Sequence, residues 1–320
     1  MLTVRQERPL PCEIDTGGVR IHAMKFSANG EYLVAGTSDG VRVWQVRDNK
    51  LVATLEESLQ FHCLAVSNDG KWVVVGGQSR NTIVLDARTF KIVSDYREHI
   101  HGVDFSPDST RFVSAEWEGA IVSNLPNCEQ VQVLEHSDGT KEAKYSPQGD
   151  RIATASCNSV RVWDSNDGHL LTAIDVEHTA WFTSTTGLLW FNDHCLFVHS
   201  GSTIKQFDAS TGSTTSEWPV PNHTGTWYSY MVLSNRGAFI AYATNQTVSF
   251  WDTSTQSQLL VNNYPDEISS IALSPDDQFL AVAQDGAISI KSLPRIVVGT
   301  GCPVDYGVSD QLSCFICHSI

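Results

Sequence analysis

The sequence predicts an all-β protein built from seven copies of one four-stranded antiparallel unit, and two markers that keep the same count predict it. The first is a Trp-Asp dipeptide or a decayed form of it. It occurs as Trp44-Gln45, Leu85-Asp86, Ser123-Asn124, Trp163-Asp164, Phe207-Asp208, Trp251-Asp252 and Lys291-Ser292, at spacings of 41, 38, 40, 44, 44 and 40 residues. The second lies upstream of each: an apolar residue followed by a polar turn, as in Phe26-Ser27-Ala28-Asn29-Gly30, Phe105-Ser106-Pro107-Asp108 and Leu273-Ser274-Pro275-Asp276. A period near 40 is that of a propeller blade, so the expected fold is a seven-bladed β-propeller of four-stranded antiparallel blades.

The third repeat shows how a blade is written. Residues 100–105 read as an inner strand, 106–109 as a turn and 111–115 as the second strand. Glu118-Gly119 then makes a tight turn into 120–123, and Val131-Gln132-Val133 is the outer strand. Short alternating apolar runs between turn residues are the strand signature. The fifth repeat is the least legible. The seventh runs from Ile290 through Lys291-Ser292-Leu293 into Pro294 and lacks an outer strand of its own. A strand lent from the other terminus would remove that exposed edge. Leu2-Thr3-Val4 is the expected donor and residues 295–298 the competitor. The propeller is expected over 1–293 and an irregular tail over 294–320.

Composition narrows the function. Lys and Arg number 21 against 36 Asp and Glu, a net charge of −15, so broad contact with a phosphate backbone would oppose the protein's own field and nucleic acid is not expected as partner. The apolar run around Val73-Val74-Val75 has the length of a strand, far short of a membrane span, and no membrane association is expected. Residues 1–8 lack the apolar stretch of a secretory signal, which points to an intracellular protein of cytoplasm or nucleus. The eight cysteines follow no disulfide framework and are expected to be reduced.

The two markers resemble the WD-repeat family of seven-bladed propellers over roughly residues 1–293. That family's repeat carries a hydrogen-bonded set of His, Asp, Ser or Thr, and Trp. Here the Trp position keeps Trp44, Trp163 and Trp251 but reads Leu85, Ser123, Phe207 and Lys291 elsewhere, and His136 is the single histidine in the matching place. Apolar packing must then supply most of the cohesion. The resemblance implies a non-enzymatic scaffold that binds a protein or peptide on its top face, with neither metal nor cofactor. Two alternatives stand beside it. Trp44-Gln45-Val46-Arg47 and Leu85-Asp86-Ala87-Arg88 keep part of the Trp-Asp-x-Arg pattern of substrate receptors for cullin-type ubiquitin ligases. A metal-dependent enzyme of lactonase-like or lyase-like type is the other.

Two motifs look catalytic. Gly36-Thr37-Ser38-Asp39-Gly40 matches a hydrolase nucleophile elbow, but that chemistry needs a strand running into a helix, and here strand runs to strand. Cys314-Phe315-Ile316-Cys317-His318 matches haem attachment and half of a zinc site, and lacks a second ligand pair.

Specificity is expected on the inner strands. Apolar residues stand one, three and six positions before the turn serine, as Ile21, Met24 and Phe26 do before Ser27. A strand has period two, so residues six and three before the serine share a face only if a bulge intervenes, which turns the residue five before it outwards. In the WD-repeat family that position, the one two residues earlier, and the one before the turn acid surround the channel mouth. Carried over residue by residue, they give Arg20, His22, His62, Arg80, His99, His101 and Trp117 from the first three repeats and Trp227 from the sixth. The first seven form a basic, aromatic sector expected to bind an acidic or phosphorylated segment, more tightly as pH falls towards 6 if the imidazoles titrate normally.

Overall fold

In six of the seven repeats a serine of the upstream marker organises a hairpin; the fifth reads Phe191-Asn192-Asp193 and has none. Ser67 Oγ donates to Asp69 Oδ1 at 2.7 Å and accepts from the Trp72 backbone N–H at 2.9 Å, and Ser106 and Ser274 make the same pair of bonds with Asp108 and Arg111 and with Asp276 and Phe279. One buried hydroxyl thus ties the end of the inner strand to the start of the second. The downstream marker works by a similar device. Asp86 Oδ1 accepts from the Thr89 hydroxyl and backbone N–H, both at 2.7 Å, and from the Arg88 backbone N–H at 3.2 Å; these bonds hold its carboxyl below the usual range. Asp208 and Asp252 repeat it. In six blades the ladder between third and outer strand shifts register at or beside the Trp position, as between Val43 and Trp44.

A computed structural model describes residues 12–56, 60–77, 82–96, 98–136, 139–176, 187–200, 202–220 and 229–294. Among them there are twenty-eight strands in seven four-stranded antiparallel sheets and no helix. Six sheets are simple meanders, spanning residues 21–56, 61–96, 102–135, 142–175, 188–219 and 229–263. The fifth, hard to read in sequence, is as complete as the others. The seventh is composite. Ser270–Leu273, Phe279–Gln284 and Ala287–Ser292 are joined by Cys12–Asp15, which pairs antiparallel to the third of them with Cys12 opposite Ile290 and Asp15 opposite Ala287.

Ring closure therefore falls to Cys12–Asp15, which takes the place expected for Leu2-Thr3-Val4. The physical reason is packing: Ile14, 2% exposed, enters the cluster of Ile21, Leu33, Trp44, Ile288 and Ile290 that joins the seventh blade to the first. Ile14 is buried between exposed Glu13 and Asp15, so a single apolar side chain marks this strand in the sequence. Leu2, Thr3, Val4 and residues 295–320, including the competing strand and the Cys314 to His318 motif, lie outside the described residues.

Seven apolar clusters fill the seven seams between neighbouring blades. The seam between third and fourth blades sets Val113, Val122 and Leu134 against Tyr145, Ile152 and Trp163. Each blade thus buries its apolar faces against its neighbours on both sides. Of the expected side-chain network, the fourth blade retains Trp163 Nε1–H donating to Thr154 Oγ1 at 2.8 Å, with His136 buried at the end of the preceding outer strand. Gly36 to Gly40 is an ordinary hairpin, Thr37 opposite Gly40, with Asp39 paired to Arg42 at 2.9 Å. Cys63, Cys128, Cys157 and Cys195 are free thiols.

Candidate functional site

The bulge inferred from sequence is present and sits on the histidines. In the first blade the inner ladder pairs Ile21 with Thr37 and Ala23 with Gly36, skipping His22; in the second it pairs Phe61 with Gly77 and Cys63 with Gly76, skipping His62. The third blade does the same at His101, whose N–H and Gly102 both address Ala115, and the fourth at Lys141 against Ala155. A bulged residue leaves the ladder and re-aims its side chain. All four lie at the start of an inner strand, the same end as the second-to-third turn that carries Trp117.

The side chains form a continuous arc. The His22 and His62 rings lie 4.6 Å apart, His99 and His101 4.5 Å apart, and Trp117 continues the row 6.5 Å from His101. Lys141 Nζ stands 5.5 Å from the Trp117 ring, a cation–π contact that sequence did not single out. Trp117 is 65% exposed, the most exposed large apolar side chain among the described residues, ahead of Val133 at 57%. Arg20 is exposed beside His22 and its carbonyl accepts from the Ser38 N–H at 3.1 Å. Arg80 and Trp227 lie outside the described residues.

The electrostatics differ from the expectation. Burial pushes the His22 imidazole down to about 4, helped by His62 and Arg20, and pushes His101 down to about 4, helped by Lys141, His99 and His62. Burial, then His99, lowers His62 as well. With His22 and His101 at about 4, these two rings are neutral at pH 6, and binding should not strengthen there on their account. Among the described residues, Arg20 and Lys141 are the cationic side chains at this face.

A stability effect follows. Because the folded state disfavours the imidazolium, the contribution of His22 and His101 is constant above their ordinary value near 6.5 and is lost as pH falls from there through about 4. Allowing for screening of these partly exposed rings, each costs about 1 kcal/mol by pH 4. A His22→Asn, His101→Asn variant should lose less melting temperature between pH 7 and pH 4.5 than the parent. Parallel pH profiles would refute the effect.

The arc rims a cavity of about 610 Å³ running down the propeller axis between the inner strands to the serine-turn end at Asn68, Asn235 and Pro275. Four charged side chains face this lumen: Lys25, Asp104, Glu142 and Lys144. Sequence reasoning passed over them because it followed the bulge and the core positions. The signal was present, since Val103-Asp104-Phe105 and Ala143-Lys144-Tyr145 each set a charge between two core residues, and an inner strand has only the lumen to offer it. Lys144 Nζ lies 3.9 Å from Asp104 Oδ1, while Asp104 Oδ2 accepts from the Tyr145 N–H at 3.0 Å and Glu142 Oε2 from the Leu188 N–H at 2.7 Å. Enclosure raises both carboxyls; the neighbouring carboxylates raise Lys144 against its own desolvation. Lys25, exposed to the lumen yet enclosed by protein, is lowered to about 8 by desolvation and then by Lys144.

Among the described residues one trio could converge on a cation, Asp164, Asp167 and His169, on the third-to-outer turn of the fourth blade. The four imidazoles of the arc are not such a group.

The family model described as WD domain, G-beta repeat matches residues 12–45, 90–122, 128–164 and 257–290. The chain is 22% identical over 297 residues to Autophagy-related protein 16 of Arabidopsis thaliana, covering 86% of this chain and 49% of that protein. It is 21% identical over 213 residues to WD repeat-containing protein 1 of Gallus gallus, covering 63% of this chain and 35% of that protein. It thus spans half or less of these relatives' length. The crystal structure of the Myceliophteria thermophila Cps50 (Swd1) β-propeller domain superposes with a TM-score of 0.76 at 18% identity, covering 89% of this chain and 100% of that one, a likeness of fold alone. Four repeat matches thus lie within a ring of seven four-stranded blades, and in repeat sequence and blade architecture the chain is similar to the WD-repeat β-propellers.

Proposed function

We propose that the protein is a non-enzymatic scaffold that docks a protein or peptide segment over the arc from His22 to Trp117. The observation that carries this reading is Trp117, a large aromatic left 65% exposed at the end of a row of bulge-presented imidazoles. Tryptophan is the residue type most enriched at interface hot spots, and neutral imidazoles shed water more cheaply than charged ones. Arg20 and Lys141 flank the row and suit an acidic or phosphorylated residue of the partner, against a protein of net charge −15. The wider family's use as an interaction platform supports the class of function, not the partner.

The test is comparative capture of partners by the purified chain and by a Trp117→Ala, His101→Ala variant that melts like the parent. A hot-spot loss of about 2 kcal/mol or more predicts a drop of about 30-fold in affinity for a partner docked there. Recovery of the same partners at undiminished affinity would move the docking site elsewhere.

A cullin-receptor reading has one observation in its favour. Arg47 and Arg88 are both exposed, at equivalent third-to-outer turns of adjacent blades on the face opposite the imidazoles. It predicts that Arg47→Ala, Arg88→Ala abolishes binding to a ligase adaptor and leaves capture through Trp117 intact.

A further inference from the structure

The lumen holds an unusual balance of charge. Lys144 and Asp104 face each other as a loose pair, and Asp104 has a backbone donor besides. Lys25 and Glu142 have no ion-pair partner within 4.0 Å among the described residues. One ammonium and one carboxylate, on the inner strands Ile21–Phe26 and Glu142–Tyr145, therefore address the same enclosed space, attracting each other from beyond direct ion-pair distance. The other side of the lumen is different in kind. Leu189, Tyr230 and Val232, from the inner strands Leu188–Asn192 and Ser229–Leu233, give it an apolar wall.

We infer that the central channel is a binding site for a small zwitterion of the amino-acid type, its carboxylate on Lys25, its ammonium on Glu142 and its apolar side chain against Leu189 and Val232. A simple anion would satisfy Lys25 but meet Glu142 and Asp104 at short range in a site where charges are poorly screened; a simple cation would meet Lys25 and Lys144. A ligand carrying both signs complements Lys25 and the remaining acceptor capacity of Glu142, and leaves the quartet's net charge at zero. The cavity, about 610 Å³, is of the size that takes small ligands and has their usual pattern, a few convergent polar groups set against apolar surface. The inference goes beyond the docking reading and does not depend on it.

Isothermal titration of the purified chain with L-alanine, L-valine and L-leucine tests it, alongside the two half-ligands of leucine, 4-methylpentanoate and 3-methylbutylamine. At least one amino acid is expected to bind with Kd below about 1 mM. Each half-ligand should bind at least about tenfold more weakly, and Lys25→Met and Glu142→Gln should each weaken the best amino acid by about tenfold or more, the loss of one charge-assisted hydrogen bond. Trp117→Ala should bind it as the parent does, which separates this site from the docking face. Failure of all three amino acids to bind, or binding no tighter than that of both half-ligands, overturns the inference. So does a folded Lys25→Met variant of unchanged affinity; should that variant not fold, the selectivity of the parent decides alone.

Discussion

Deletion of residues 1–16 is expected to lower the melting temperature by roughly 10 °C or more and to produce soluble aggregates. The deletion removes Cys12–Asp15, the fourth strand of the seventh blade, and bares the whole hydrogen-bonding edge of Ala287–Ser292. It also takes Ile14 out of the seam that holds Ile288 and Ile290 against Trp44. Truncating a buried Ile to Ala costs about 2–5 kcal/mol, and the lost ladder adds to this, at roughly 2–4 °C per kcal/mol for a chain of this order of size. An open apolar edge then offers itself to other chains. Calorimetry with light scattering reads both effects, and Ile14→Ala should reproduce part of the first. A cooperative transition within about 2 °C of the parent, with no aggregate, would show that the ring does not depend on this strand.

The second large effect is expected at Gly119. It opens the third strand of the third blade opposite Glu135, with φ of +150°, a region that residues with a Cβ rarely enter. An added Cβ would also collide with the Leu134 backbone carbonyl of the outer strand. Backbone strain of about 1–3 kcal/mol and an overpacking cost of similar size give a loss of about 3 kcal/mol or more for Gly119→Ala. Gly286, at φ +76° with no atom closer than 4.0 Å to its would-be Cβ, is the internal control. Gly286→Ala should show the backbone cost alone, about 1–2 kcal/mol. Equal destabilisation of the two variants in urea melts would remove the steric argument.

The blades were legible because each repeat advertises its turns chemically. The buried serines and the turn aspartates are the residues that close the hairpins, so the markers seen in sequence are the structural parts themselves. The bulges were legible for a geometric reason: apolar residues at odd and even offsets on one strand have no other way to share a face, and His22, His62 and His101 sit at the resulting slip. Other features were not legible. Cys12–Asp15 earns its place through one buried isoleucine and a backbone ladder, and backbone pairing leaves little trace in side-chain pattern. The acidity of the imidazolium ions was misjudged because it depends first on burial between neighbouring blades and then on charges such as His62 beside His22, a relation among residues some 40 positions apart. The lumen charges needed the same long-range placement.

The pairing of Cys12 with Ile290 also bears on how the protein comes into being. During synthesis Cys12–Asp15 is the first of the described strands to emerge and its partner Ala287–Ser292 the last of them, and at about 5–20 residues per second the two are separated by roughly 15–55 s. Blades two to six can condense on one another in that interval, each templated by the one before. This closure joins the strand pair most distant in sequence among the described residues, the kind of contact that slows folding most. Nascent chains stalled before residue 287 should therefore carry a waiting strand and a half-built last blade, and this is the species that a chaperone would have reason to hold.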